Sequence, residues 1–171
     1  MPPNHAFNKS SFVTAEMVNS LPSNTPFFSS TYCRVAPHFG NLRLPKGRGP
    51  HPVAVIFHGG CWLAHYANLR NSEALADALR DENIATWNVE YRCVDQLGGG
   101  WPGTFLDVGR ATDHLRTMAK NHELDLDRVI TIGHSAGGHL ARWTAGRHKL
   151  PECSPLWTED PLPVRGTMVL G

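Results

Sequence analysis

Val53-Ala54-Val55-Ile56-Phe57 is an unbroken apolar run that ends directly in His58-Gly59-Gly60. A run without polar alternation belongs to a strand buried on both faces, which needs neighbouring strands at its sides and helices above and below. The chain downstream supplies them. Ile84 to Tyr91, Arg128 to Ile132 and Val164 to Leu170 read as further strands. Between the strands, Ser72 to Arg80, Thr104 to Lys120 and Ala136 to Arg147 carry apolar residues at helical intervals, with Ser72 as N-cap of the first. Strand and helix alternate, so the expected core is an open, mostly parallel α/β sheet with right-handed crossovers and helices on both faces. Ligands gather at the carboxyl ends of the strands in such sheets. Both chemical motifs of this chain fall there.

Residues 1 to about 30 are rich in Pro, Asn and Ser and read as an arm without evident chemistry, interrupted by a short amphipathic stretch from Phe12 to Leu21. Tyr32 to Leu44 reads as an early hairpin or edge strand, and Pro45-Lys46-Gly47-Arg48-Gly49-Pro50 as a turn. Lys plus Arg (16) nearly balance Asp plus Glu (15). That balance gives no pull toward nucleic acid or an anionic membrane, so a small-molecule partner is expected. Met1 to His5 lacks the basic and apolar regions of a secretory leader, and no apolar run approaches the ~20 residues of a membrane span. The expected compartment is the cytoplasm. Cys33, Cys61, Cys93 and Cys153 are too scattered for a disulfide scaffold and show no C-x-x-C spacing, so they read as free thiols.

Gly133-His134-Ser135-Ala136-Gly137 lies between an apolar β-branched strand and an amphipathic helix. Glycines flank the serine because the chain must turn sharply from strand into helix, where Cβ atoms two positions away would clash. A serine at the tip of that turn projects its Oγ above the sheet, over a helix N-terminus that favours developing negative charge. The Ala136 N–H would be one oxyanion donor. The competing reading, a tight turn whose serine only caps the helix, does not explain the strand before it. His134 and His139 flank the serine but read as structural, since a base must reach Oγ in a productive orientation.

His58-Gly59-Gly60-Cys61-Trp62 follows the first buried strand, where consecutive glycines can turn their N–H groups onto a substrate oxygen. Gly59 and Gly60 are the candidate donors and His58 reads as a hydrogen-bonder that fixes their loop. Trp62 is a candidate pocket wall, with a core tryptophan as the alternative. Cys61 and Cys93 are poor nucleophile candidates because no ordering base is evident beside either.

These two segments, with Trp87-Asn88-Val89-Glu90-Tyr91-Arg92 and Gly99-Gly100-Trp101-Pro102-Gly103-Thr104-Phe105-Leu106-Asp107-Val108, resemble the H-G-G branch of the α/β-hydrolase superfamily. That branch includes small carboxylesterases, feruloyl-esterase-like and kynurenine-formamidase-like enzymes and single-domain relatives of prolyl oligopeptidase. The resemblance runs from about Tyr32 to Gly171 and implies an α/β-hydrolase fold, with residues 31–171 as the N-terminal portion of its domain. It also implies that Glu90, Tyr91, Arg92 and Asp107 support the floor of the site, with Trp101 a secondary pocket candidate.

In this fold the catalytic order is Ser, then Asp or Glu, then His, and the acid and histidine of the family have no counterpart before Gly171. The expectation is a sheet whose C-terminal part is missing. Among residues that could substitute, His148 lies at the far end of the helix that Ser135 begins, Glu159 and Asp160 have no histidine after them, and His65, His114 and His122 lie upstream. The expected function is carboxylic-ester cleavage by acyl transfer through Ser135, with no metal or organic cofactor implied and with little activity from these residues alone. The alternatives are an amide hydrolase, such as an arylformamidase or small peptidase, and a non-catalytic ligand-binding pseudoenzyme. A sheet cut after its last strand would expose an edge and invite self-association.

Overall fold

The computed structural model describes residues 13–34 and 38–171; residues 1–12, including the start of the amphipathic stretch at Phe12, lie outside the described set. In chain order the elements are α1 (Ala15–Asn19), β1 (Phe28–Thr31), β2 (Phe39–Arg43), β3 (His51–Phe57), α2 (Glu73–Asp81), β4 (Ala85–Val89), α3 (Gly103–Asp113), α4 (Leu115–Met118), β5 (Leu124–His134), α5 (Ala136–Gly146) and β6 (Gly166–Leu170). Short 3-10 turns at Leu69–Ser72 and Arg147–Lys149 lead into α2 and out of α5.

The strands form one six-stranded sheet in the order β1-β2-β4-β3-β5-β6. The apolar run sits in the middle: β3 pairs in parallel with β4 on one side and with β5 on the other. β6 continues the parallel set beside β5, while β1 and β2 run antiparallel at the opposite edge. This is the mixed, mostly parallel α/β sheet that the sequence predicts.

Alternation within β3 divides the core between two faces, because successive strand side chains point to opposite sides. Val53, Val55 and Phe57 join Val108 of α3, Leu115 of α4 and Leu140 of α5 in one cluster. Ala54 and Ile56 join Ile132 of β5 and Ala76 of α2 in the other. Helices therefore cover both faces, and each fully buried aliphatic side chain contributes about 1.5–3 kcal/mol of transfer free energy. Among the described residues no helix is long and apolar enough to cross a membrane.

Several elements differ from the sequence expectation. The helix expected over Thr104 to Lys120 is two helices parted at His114, beside Asp113, whose carboxylate takes both Nη atoms of Arg147 and the Leu162 N–H. Ser72 precedes α2 but makes no side-chain cap bond; its hydroxyl donates to Asn88 Oδ1 at 2.7 Å instead, with the Leu69 carbonyl 3.1 Å away. Tertiary partners outcompete the local rule in both places. β5 begins at Leu124 rather than Arg128, with extra residues bulged opposite the Pro52/Val53 step. The end of the arm also has structure. Residues 28–31 are β1, and Asn24 donates its N–H (2.5 Å) and Nδ2 (3.2 Å) to Asp77 of α2, which also accepts from the buried Arg43 Nε at 2.8 Å.

β6 pairs only with β5 among the described residues. Met168 and Val169 are 52% and 54% exposed, where Val55 of the central strand is 0% exposed. Consecutive residues face opposite ways, so β6 is about half exposed on each face even where Val169 lies against Gly138 of α5.

Under the carboxyl ends of β3 and β4, Asp107 is fully buried and takes the Arg92 N–H (3.1 Å), Arg92 Nε and Nη2 (2.8 Å each) and His38 Nε2 (2.9 Å). Removing one member of a buried charge network costs more than an exposed pair is worth, because the partners are left uncompensated. Asp107→Ala should therefore lower the urea-unfolding free energy by about 3–5 kcal/mol; a loss below about 1 kcal/mol would show that the network does not hold this floor together.

Candidate active site

Ser135 is the hinge between β5 and α5, with φ 51° and ψ −116°. A non-glycine residue in that region costs about 1–3 kcal/mol and persists only where its surroundings over-determine it. They do so here. The Ser135 N–H donates to the Leu170 carbonyl of β6 at 2.8 Å, and its own carbonyl accepts from the His139 N–H at 3.1 Å. A Cβ at Gly133 would collide with the Gly137 carbonyl, and one at Gly137 with the carbonyls of Phe57 and His58. Those glycines bring the start of α5 against the end of β3. Ser135 is exposed, and its Oγ makes no hydrogen bond to any described residue.

The loop after β3 is the second wall. Gly60 has φ 103°, and Cys61 (52°) and Trp62 (58°) continue in the left-handed region. Leu63 N–H closes the turn on the Gly60 carbonyl at 2.9 Å. Among the described residues no acceptor takes the N–H of Gly59 or Gly60. Ala136 is the first residue of α5, so its N–H has no intrahelical partner either.

His58 is 1% exposed and its ring stacks on Tyr91 at 4.3 Å between centroids. Nδ1 donates to the Gly59 carbonyl at 2.8 Å, and Nε2 lies 3.0 Å from Glu90 Oε1. The other Glu90 oxygen accepts the Leu69 N–H at 3.0 Å, and the Tyr91 hydroxyl donates to the His58 carbonyl at 2.7 Å. Both ring nitrogens of His58 are thus engaged, one by a carbonyl and the other by a carboxylate. Burial raises the Tyr91 phenol far above its ordinary range, keeping it a neutral donor. This network holds the carbonyls of His58 and Gly59 in place.

Gly60, Cys61, His134 and Ser135 open on one cavity of about 580 Å³. Its remaining walls are Tyr66, Ala67 and Asn71, with Val13, Thr14 and Val18 from the arm and Gly171 after β6. The arm, read from sequence as carrying no evident chemistry, thus closes one side of the site, and Asn71 Nδ2 ties to Asn19 Oδ1 of α1 at 3.1 Å. The amphipathic stretch was the signal for it, but nothing in its pattern says where such a short helix docks. Trp62 and Trp101 do not line this cavity. Trp62 packs on the core and edge-on to His139 (5.6 Å), and Trp101 is 66% exposed against Phe105.

The histidines considered as substitute bases are engaged elsewhere. His65 pairs with Asp95, His114 with Ser30, and His148 with the Ala145 carbonyl, while His122 lies against Phe27 and Phe28. Among the described residues none hydrogen-bonds to Ser135. The cysteines differ in kind: Cys61 is exposed in the cavity wall, whereas burial, with the Glu90 and Asp95 charges, pushes the Cys93 thiol up to about 12. With Ellman's reagent at pH 8, Cys61 and exposed Cys153 should react promptly and Cys93 only on unfolding; prompt reaction of Cys93, mapped by mass spectrometry, would contradict this environment.

A profile of the BD-FAE family matches residues 41–153, more than half of the chain. The chain is 33% identical over 101 residues to neutral cholesterol ester hydrolase 1 of Pongo abelii, covering 57% of this chain and 24% of that protein. It is 30% identical over 108 residues to versiconal hemiacetal acetate esterase of Dothistroma septosporum, covering 63% of this chain and 32% of that one. In structure it superposes on Thermogutta terrifontis esterase 2 phosphonylated by sarin with a TM-score of 0.71 at 18% identity, over 86% of this chain and 55% of the other. A bacterial heroin esterase gives a TM-score of 0.67 at 23% identity, over 90% and 47%. The chain thus spans about a quarter to a third of these curated relatives and about half of these structural ones.

Proposed function

Because the chain belongs to the BD-FAE family of α/β-hydrolases, we propose that it carries the nucleophile half of a serine hydrolase that cleaves carboxylic esters by acyl transfer. The observation that supports this most is Ser135, held at positive φ between β5 and α5 and opening on the same cavity as Gly60. Ser135 Oγ attacks the ester carbonyl, the carbonyl π electrons move to oxygen, and the N–H groups of Gly59, Gly60 and Ala136 take up the oxyanion. His58 positions the loop and does not accept the serine proton, since both its nitrogens are engaged. Among the described residues no side chain hydrogen-bonds to Ser135 Oγ, so none is in place to take its proton, and little turnover is expected from these residues as they stand. The ester-cleaving relatives favour an ester over an amide substrate. A cytoplasmic setting, which suits the unpaired cysteines, belongs to the same proposal.

Fluorophosphonate labelling tests the nucleophile without requiring turnover. The adduct should map to Ser135, vanish in Ser135→Ala, and form faster when imidazole is added as an external base. Equal labelling of Ser135→Ala would remove Ser135 from the mechanism. Turnover of p-nitrophenyl butyrate by the 171 residues should not exceed that of Ser135→Ala; a serine-dependent excess would place a working base within them.

The uncovered edge of β6, with Met168, Val169 and Leu170 exposed, supports a second property, self-association through strand pairing. Size-exclusion chromatography with light scattering should find oligomers that Val169→Lys reduces. A clean monomer at high concentration would contradict the idea.

A further inference from the structure

A second cavity, of about 190 Å³, lies on the α3 and α5 side of the sheet and shares no lining residue with the Ser135 cavity. Three aromatic rings, Phe105, Trp143 and Trp157, line it, and Phe105 and Trp143 meet edge to face at 5.1 Å. Gly109 contributes no side chain where a Cβ would crowd the Arg147 guanidinium. The volume is below the ~300–1,000 Å³ of sites for drug-sized ligands, so it suits one ring.

The charges around it are unequal. Asp113 is saturated: it takes both Nη atoms of Arg147, the Leu162 N–H at 2.8 Å and Arg116 Nη1 at 3.5 Å. Arg147, 5% exposed, still has its Nε without an acceptor among the described residues. Arg110 also lines the cavity, is exposed, and its guanidinium pairs with no described residue. An aromatic enclosure with one unspent cation recognises a planar ring that bears a negative charge, the ring packing on the indoles and the charge meeting the guanidinium.

We propose that this cavity binds a small aromatic carboxylate at a site separate from the Ser135 cavity. The ring enters among Phe105, Trp143 and Trp157, and the carboxylate accepts from Arg110. Arg110 is the selective element because Arg147 is already committed to Asp113. The site stands independently of the esterase reading, since none of its residues takes part in that chemistry.

The test is an NMR titration of the 171-residue protein with benzoate, benzamide and acetate, following the indole N–H signals of Trp143 and Trp157. Benzoate should bind about tenfold more tightly than benzamide, which lacks the charge, or acetate, which lacks the ring. Arg110→Gln should erase the preference for benzoate over benzamide, whereas Trp157→Ala should weaken both aromatic ligands together. Arg110 has no partner to lose, so its substitution leaves the fold intact, which circular dichroism verifies. Benzoate binding no tighter than benzamide, affinity unchanged in Arg110→Gln, or benzoate shifts confined to other tryptophans would overturn the proposal.

Discussion

The parallel register between β3 and β5 is the constraint on which the site depends. Phe57 pairs with Gly133, so the two strands end within one residue of each other and the turns that follow them, Gly59-Gly60 and Ser135-Ala136, rise beside each other. The close approach of α5 to β3 then requires Gly137, because any Cβ there would meet the carbonyls of Phe57 and His58. A one-residue slip would send every side chain of β3 to the wrong face, breaking both halves of the core and separating the two turns at once. Hydrophobic patterning therefore fixes more than stability here: it sets the distance between Ser135 and the Gly59-Gly60 turn.

Below that level the loop is held by polar groups with few free valences. His58, Glu90 and Tyr91 use their ring nitrogens, carboxylate and hydroxyl on the Gly59 carbonyl, the Leu69 N–H and the His58 carbonyl. Each bond consumes a group that would otherwise face inward unsatisfied, which is how a buried network rigidifies its neighbours. The Asp107 cluster with Arg92 and His38 does the same one layer down. Preorganisation of this kind would serve the proposed oxyanion role, because donors that need no rearrangement lose nothing at the moment charge develops.

Much of this was legible in the residues. The apolar run of β3, the alternation of strands and helices, and the strand-turn-helix context of Gly133 to Gly137 each follow from local pattern, and the sheet and the BD-FAE match agree with them. What escaped was set by tertiary partners. Nothing in Thr104 to Lys120 marks a break at His114, since no glycine or proline stands there and the partners of Asp113 come from Arg147 and Leu162. Ser72 has the chemistry of a cap but finds Asn88 instead. The cavity walls from Val13, Thr14 and Val18 depend on where a five-residue helix docks, which its own sequence does not encode. Trp62 and Trp101, chosen as aromatic residues near the motifs, lie outside the cavity because sequence proximity carries no direction.

The central claim is geometric: that a tetrahedral adduct on Ser135 would present its oxygen to Gly59, Gly60 and Ala136. A crystal structure of the chain after reaction with a small phosphonate measures this directly. The predicted result is phosphorus bonded to Ser135 Oγ, with one phosphonyl oxygen at about 2.7–3.1 Å from those backbone nitrogens. An adduct whose oxygens point away from all three, with the loop after β3 unchanged, would contradict it.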